Sequence, residues 1–95
     1  MKVIVIATRK PEAKPEDFAP HLENEVKVAL GMYRDEIVRE IYSRSDGKGA
    51  VLVLECDDLA HAEQLVAGLP LAAAGLLTFE FYGTKPYRGI VQYAE

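Results

Sequence analysis

The chain has 95 residues, which is enough for one hydrophobic core and too few for two, so we expect a single domain over residues 1–95. Its composition, 49% hydrophobic and 27% charged, is that of a packed globular protein and excludes a disordered chain. The 11 basic and 15 acidic residues give a net charge of −4, which argues against nucleic acid and against acidic membrane surfaces as partners.

The first half of the chain predicts two strands with a helix between them. Residues 3–8 are rich in β-branched side chains, and because Arg9 ends this short apolar run, it predicts a strand and not a signal peptide. A helix is expected over residues 20–34, since Pro20 suits a first helical turn and apolar side chains then recur every three or four residues. These are Leu22, Val26, Ala29, Leu30 and Tyr33. The stretch 37–44 predicts the second strand.

The second half predicts a hairpin, a helix and a last strand. An Asp-Gly step favours a tight turn between the second strand and a third one over residues 50–56. Residues 59–69 show helical apolar spacing after two aspartates that suit a helix cap. Residues 76–82 alternate like a strand with one buried face, and a short apolar stretch at 90–93 is a candidate for a further edge strand.

The order β-α-β-β-α-β predicts an α+β domain of ferredoxin-like form, a four-stranded antiparallel sheet with two helices on one face. Strands one and three are expected at its centre, because residues 3–6 and 51–54 are apolar on both faces. Two helices cover only one face, and soluble monomers rarely leave a contiguous apolar patch on the other. We therefore expect a homodimer that packs sheet to sheet as a dimeric α/β barrel, with residues 90–93 free to pack across the partner.

The sequence carries no motif for a metal, a nucleotide or a flavin, so we expect neither a metal site nor a cofactor. Cys56 has no second cysteine to pair with, and a lone thiol at the end of an apolar strand suits a reducing cytoplasm. No stretch approaches the ~18 apolar residues of a membrane-spanning helix. The sequence thus predicts a cytoplasmic protein without membrane or nucleic-acid partners.

One carboxylate interrupts the apolar stripe of the first helix. Glu25 lies three residues after Leu22 and four before Ala29, so its side chain is expected to lose part of its water. Desolvated carboxyl groups are enriched at active sites, where they act as general bases or acids. His21 lies one helical turn earlier and is a candidate partner. The alternative is that Glu25 reaches solvent at the edge of the stripe while His21 only completes the first turn.

Two strands carry candidate substrate-binding side chains. Arg39 and Glu40 are neighbours in the second strand, so alternation sends one of them inward, and the sequence does not decide which. An inward Arg39 could hold a carboxylate bidentately, and the alternative is a charge at the rim of the sheet. In the fourth strand Thr78, Glu80 and Tyr82 share a face. If the phenylalanine face meets the helices, these groups face the dimer interior, where they could contact a ligand or only form a polar interface.

Several segments resemble one protein family. Residues 59–71, with the following strand and residues 85–87, resemble the second half of the muconolactone isomerase-like branch of the dimeric α/β-barrel families, and residues 33–39 resemble its helix-to-strand junction. The resemblance implies a ferredoxin-like protomer, sheet-to-sheet dimerisation or a higher assembly and, in the enzyme that gives the family its name, cofactor-free proton transfer on an unsaturated lactone. It also implies that Glu25 stands in the place of an acidic helix residue. The wider superfamily includes cofactor-free oxygenases and dehydrochlorinases.

Two functions of different classes follow. The first is a cofactor-independent isomerase or lyase that acts by proton transfer on a small cyclic or aromatic-derived metabolite. In it Glu25 is the general base, His21 its orienting or proton-sharing partner, and Arg39 the anchor for an anionic substrate. The second is a non-catalytic homodimer that binds a small hydrophobic or aromatic ligand. Consumption of the ligand separates the two.

Overall fold

The computed structural model describes residues 1–93. Along the chain the elements are β1 (Lys2–Arg9), α1 (Pro15–Phe18), a 3₁₀ turn (Ala19–His21), α2 (Leu22–Arg34), β2 (Val38–Ser43), β3 (Gly49–Glu55), α3 (Leu59–Ala67), α4 (Pro70–Ala73), β4 (Leu77–Gly83) and α5 (Arg88–Tyr93). The strands form one four-stranded antiparallel sheet in the order β2-β3-β1-β4, and α2 and α3 pack on the same face of it. The predicted ferredoxin-like α+β fold, with strands one and three at the centre, is confirmed.

The central strands are apolar on both faces, as predicted. Val5 of β1 pairs with Leu52 of β3, and both are buried under the helices. The next pair, Ile4 and Val53, points the other way, and Ile4 is 36% exposed. We call the side of the sheet opposite the helices the outer face; the apolar residues at its centre are Ile4, Ile6, Val51 and Val53. The described chain therefore presents a partly exposed apolar surface that its own helices do not cover.

The two long helices pack to different depths. Helix α3 enters the core through Ala62 and Val66, which are fully buried, and it is capped by Asp58, whose Oδ1 accepts the His61 N–H at 2.8 Å. None of the side chains of α2 is fully buried, although Ala29 and others pack partly against the core. Because α2 stands off the sheet, space is left beneath it.

Helix α2 ends in a Schellman motif with an unusual residue. The N–H of Ile37 donates to the Met32 carbonyl at 2.9 Å and that of Glu36 to the Tyr33 carbonyl at 3.1 Å, which satisfies carbonyls of the last turn. This closure needs a left-handed residue, and Glu36 adopts φ 64. Glycine is the usual choice there because a Cβ is strained in this region.

The β2–β3 hairpin is closed by side chains and by a glycine in tight contact with β1. The Arg44 guanidinium donates to Thr8 Oγ1 at 2.7 Å and to the Asp46 carboxylate at 2.6 Å, and Asp46 also accepts the Lys48 N–H at 2.9 Å. A Cβ on Gly49 would lie 1.9 Å from the carbonyl oxygen of Ala7, so only glycine fits this position.

The end of the described chain corrects one prediction. The expected edge strand at 90–93 is wrong, because α5 spans Arg88–Tyr93. The pairing of β4 ends where the Thr84 N–H and hydroxyl bond the Lys2 carbonyl, at 3.0 and 2.7 Å, and Pro86, which has no N–H to donate to a ladder, follows. Helix α5 keeps its apolar side chains in solvent; Ile90 is 66% exposed and Val91 63%.

The helix boundaries also differ from those predicted. The first helix begins at Leu22 rather than at residue 20, after the separate turns of α1 and the 3₁₀ segment, and the second is followed by the extra turn α4. Each added turn starts at or next to a proline, which suits a first helical position and also interrupts the preceding element. Among residues 1–93, no helix has the length and apolarity needed to cross a bilayer.

Candidate functional site

A cavity of about 210 Å³ lies between α2 and the sheet, at the end of β1 that carries Ala7. An apolar cavity of roughly 150 Å³ is enough to bind benzene, so this one has room for a single small ring. Two charged side chains, Arg9 and Glu25, contribute to its wall. The rest of the lining is Ala7, Val26, Ala29, Ile41, Gly49, Ala50, Leu52, Leu69, Leu71, Leu77 and Phe79. An apolar pocket with a few polar groups is the usual form of a small-molecule site.

Glu25 is half-buried at the cavity wall, and its carboxylate is fixed by a hydrogen bond from the second half of the chain. Its Oε1 accepts the backbone N–H of Leu71, in the first turn of α4, at 2.8 Å. Within residues 1–93 its second carboxylate oxygen has no hydrogen-bond partner. The carboxylate is thus fixed by one oxygen, which leaves the other able to take a proton from a ligand.

His21 is not joined to Glu25. Across the described residues, no hydrogen bond or ion pair connects the two side chains, and the cavity lining does not include the imidazole. His21 ends the 3₁₀ turn and is the N-cap residue of α2, with φ −106 and ψ −13.

Arg39 and Glu40 sit at a β-bulge, which explains why alternation alone did not assign them. Val38 pairs with Leu54 on the helix side and Glu40 pairs with Val53 on the outer face, so Arg39 is the extra residue between them. Arg39 is exposed and is not part of the cavity lining.

Glu80 and Tyr82 lie together on the outer face, on the far side of the sheet from Glu25. Glu80 pairs with Ile6 of β1 and Tyr82 pairs with Ile4, and the Tyr82 hydroxyl donates to Glu80 at 2.6 Å. This hydrogen bond to a carboxylate raises the pKa of Tyr82 above its ordinary value.

A second tyrosine and carboxylate pair occupies the opposite edge of the outer face. On β2 the Tyr42 hydroxyl donates to Glu40 at 2.8 Å, and this bond raises the pKa of Tyr42. The apolar centre of the outer face is therefore flanked on both sides by hydrogen-bonded tyrosines.

Arg9 is the cavity residue that the sequence reasoning missed. Its guanidinium carbon lies 4.7 Å from the ring centroid of Phe18, which is only 4% exposed. Arg9 follows Val3, Val5 and Ala7 on the helix-facing side of β1, so the alternation that predicted the core could also have placed this exposed side chain at the edge of the cavity.

Comparisons with known proteins give relatives by structure alone. No protein-family model and no curated protein sequence matches the chain. A solved structure of muconolactone isomerase is similar with a TM-score of 0.76 at 17% identity, over 93% of this chain and 92% of that one. A 5-chloro-2-hydroxyhydroquinone dehydrochlorinase from Burkholderia phenoliruptrix AC1100, solved with 2,5-dihydroxybenzoquinone, is similar with a TM-score of 0.63 at 15% identity, over 94% and 98% of the two chains.

The match spans nearly the whole of both proteins in each case, so it concerns the complete fold and not a shared fragment. At this level of identity it carries the architecture and no residue role. The chain therefore has the ferredoxin-like fold of muconolactone isomerase, which confirms at the level of fold the resemblance found in its sequence.

Proposed function

We propose that this protein is a cofactor-independent enzyme of the isomerase or lyase type, which moves a proton on a small cyclic or aromatic-derived metabolite with Glu25 as the general base. The observation that carries the proposal is the Glu25 carboxylate in an otherwise largely apolar cavity, with one oxygen held by the Leu71 N–H at 2.8 Å. A fixed carboxylate next to a ring-sized space has the position that a general base needs.

The chemistry asked of this site is modest. A substrate bound between α2 and the sheet would present an acidic C–H to the free oxygen of Glu25, and the same carboxyl group could return the proton to another atom of the ring. Apolar walls, such as those of Leu52 and Phe79, would limit the access of water to the transfer. His21 could share the proton only after a change of its side-chain position, because no hydrogen bond or ion pair joins it to Glu25 within residues 1–93.

The structural neighbours support this class of reaction without specifying it. One is named as an isomerase of a lactone and the other as a dehydrochlorinase solved with a quinone, and both names describe chemistry on small oxygenated rings. We extend from them only the substrate class, which is a small ring with oxygen substituents.

We further propose that the protein is a homodimer that packs through its outer face. Ile4 is 36% exposed, and it lies among other apolar side chains that a second sheet would cover. In such a dimer Glu80 and Tyr82 would lie within the interface, and any contact that they or Arg39 make with substrate would be in that shared space rather than in the Glu25 cavity. The exposed apolar side chains of α5 are available to pack across the partner.

We also propose a reducing, cytoplasmic location, which suits Cys56 as a free thiol. The thiol is buried, and burial raises its pKa, so the thiolate form is disfavoured.

The alternative function is a non-catalytic binder of a small hydrophobic or aromatic ligand. It is favoured by the mainly apolar lining of the cavity and by the absence, among residues 1–93, of a hydrogen bond or ion pair between His21 and Glu25. A binder needs the cavity but no titrating group.

A panel of lactones, catechols and quinones separates the two functions. Each compound is tested for thermal stabilisation of the protein and for its own consumption, since a bound ligand stabilises the folded state whether or not it reacts. The proposed enzyme consumes at least one stabilising compound, and its Glu25→Gln variant does not. Glu23→Gln is the matched control, because Glu23 lies on the same helix but is exposed and paired with Lys27 at 3.1 Å.

A further inference from the structure

We infer that Arg9 is the specificity-determining residue of the cavity, that it selects ligands with an anionic group, and that Phe18 is the positioning residue that holds it there. The inference rests on the proposal that this cavity is the ligand site. It gives to Arg9 the anchoring role that sequence reasoning gave to Arg39.

The charges in the cavity wall are the first observation. Arg9 and Glu25 have opposite signs, and within residues 1–93 the guanidinium of Arg9 has no carboxylate within ion-pair distance. Arg44 differs, since it is bound to both Thr8 and Asp46. The guanidinium N–H groups of Arg9 are therefore available to a ligand, whereas those of Arg44 are already bonded to the hairpin.

The fixed position of Arg9 is the second observation. Its backbone N–H donates to the Lys48 carbonyl at 2.8 Å, and it pairs with Leu77 of β4, so its main chain belongs to the sheet. Its guanidinium lies over the ring of Phe18, which is almost fully buried. Stacking on a buried ring restricts a long side chain that would otherwise lose entropy when it binds a ligand.

These two features predict how a ligand lies. A guanidinium binds a carboxylate through two parallel hydrogen bonds, and Arg9 is exposed at the edge of the cavity, where an anionic group can reach it from solvent. Glu25 repels the same anionic group. An anionic ring is thus oriented with its charge toward Arg9 and its remaining atoms toward Glu25, which presents the ring rather than the anion to the proposed base.

The test uses benzoate and benzamide, two probes of nearly the same shape that differ in charge. Binding is measured by calorimetric or NMR titration, and it needs no turnover. We expect the wild-type protein to prefer benzoate and Arg9→Ala to weaken benzoate by about 10- to 100-fold, the usual effect of losing a charged hydrogen-bonded pair. The affinity for benzamide should change by less than about threefold, because benzamide has no charge that pairs with Arg9.

Three further variants separate positioning from charge and from folding. Phe18→Leu keeps the core apolar but removes the ring, and it should weaken benzoate by about two- to fivefold while leaving benzamide unchanged. Arg9→Lys keeps the charge without the planar guanidinium and should recover only part of the preference. Arg34→Ala removes the same charge from the exposed end of α2 and should leave both probes as in the wild type.

The outcomes are decisive in both directions. The inference would be overturned if the wild-type protein showed no preference for benzoate, or if Arg9→Ala lost affinity for both probes equally. It would also be overturned if Arg39→Ala lost the affinity for benzoate that Arg9→Ala is expected to lose. A benzoate preference that depends on Arg9, together with a compound panel that is never consumed, would leave this inference standing while the proposed enzyme fails.

Discussion

The Oε1 atom of Glu25 on α2 accepts a hydrogen bond of 2.8 Å from the backbone N–H of Leu71 on α4, 46 residues further along the chain. This bond ties the helix that stands off the sheet to the start of the last helical turn before β4. It does so at the wall of the cavity, so the same carboxylate serves the fold and is offered to a ligand.

The double role of Glu25 predicts that its two simplest variants differ in stability. Glu25→Gln retains a side-chain oxygen that can accept from Leu71, so the free energy of unfolding should fall by less than about 1 kcal/mol. Glu25→Ala leaves the Leu71 N–H without its partner and should cost about 1–3 kcal/mol. Urea denaturation of both variants measures the difference. Equal stabilities for the two would show that the hydrogen bond does not hold α2 in place.

Substitutions of two adjacent residues of β3 test whether the outer face is the dimer interface. Leu52 is 4% exposed beneath the helices, so Leu52→Asp should unfold the chain, with a loss of more than about 3 kcal/mol. Val53 points to the outer face, so Val53→Asp should retain the far-ultraviolet circular dichroism of the wild type but release monomers.

Light scattering at micromolar concentration gives the control for this pair. The wild-type chain is expected to be at least a dimer. A wild-type monomer, or a Val53→Asp variant that keeps the wild-type mass, would contradict packing through the outer face.

The fold was largely predictable from the sequence because strand alternation and helical spacing are local properties. The pattern at 3–6 and 51–54 identified two central strands with two apolar faces, and the structure confirms them. The candidate site was less predictable, since its parts depend on departures from regular geometry. A bulge isolates Arg39 from the strand alternation, and His21 lies just before the helix of Glu25 without a hydrogen bond or ion pair to it among residues 1–93.

The hydrogen bond between Glu25 and Leu71 and the position of Arg9 were also not predicted from the sequence, for two different reasons. The hydrogen bond between Glu25 and Leu71 joins distant residues through a backbone N–H, which no residue type reveals. Arg9 could in principle have been predicted as a cavity residue, because it continues the alternation of β1 on the helix side. A charged residue at a strand end, however, looks like the start of a loop.

The C-terminal end of α2 offers a stabilising substitution. Glu36 has φ 64 in a position that glycine adopts without strain, so Glu36→Gly should raise the free energy of unfolding by about 0.5–1 kcal/mol. Glu36→Ala is the matched control, since it removes the same charge but keeps the Cβ and should bring no such gain. Thermal or urea unfolding checks both, and a stabilised Ala variant would point to the charge instead of the backbone.

The hairpin predicts a specific contribution to acid sensitivity. The Lys48 N–H, and then the Arg44 guanidinium, lower the pKa of Asp46 below its ordinary value. Because this pKa is lower in the folded state, the contribution to stability is present above the unfolded pKa of ~3.9 and is lost as the pH falls through the folded pKa. Asp46→Asn should remove this part of the pH dependence below about pH 4. Unfolding curves from pH 7 down to pH 2 that coincide in shape for variant and wild type would contradict it.

The most direct test of the proposed base is turnover of the first compound in the lactone, catechol and quinone panel that the wild-type protein consumes. We expect that Glu25→Gln binds this compound but loses at least about 100-fold in rate, which is the usual contribution of a general base, while Glu23→Gln keeps the wild-type rate. A folded Glu25→Gln variant that turns the compound over within a few-fold of the wild type would contradict the role of Glu25. A panel in which compounds stabilise the protein but none is consumed would favour the binder.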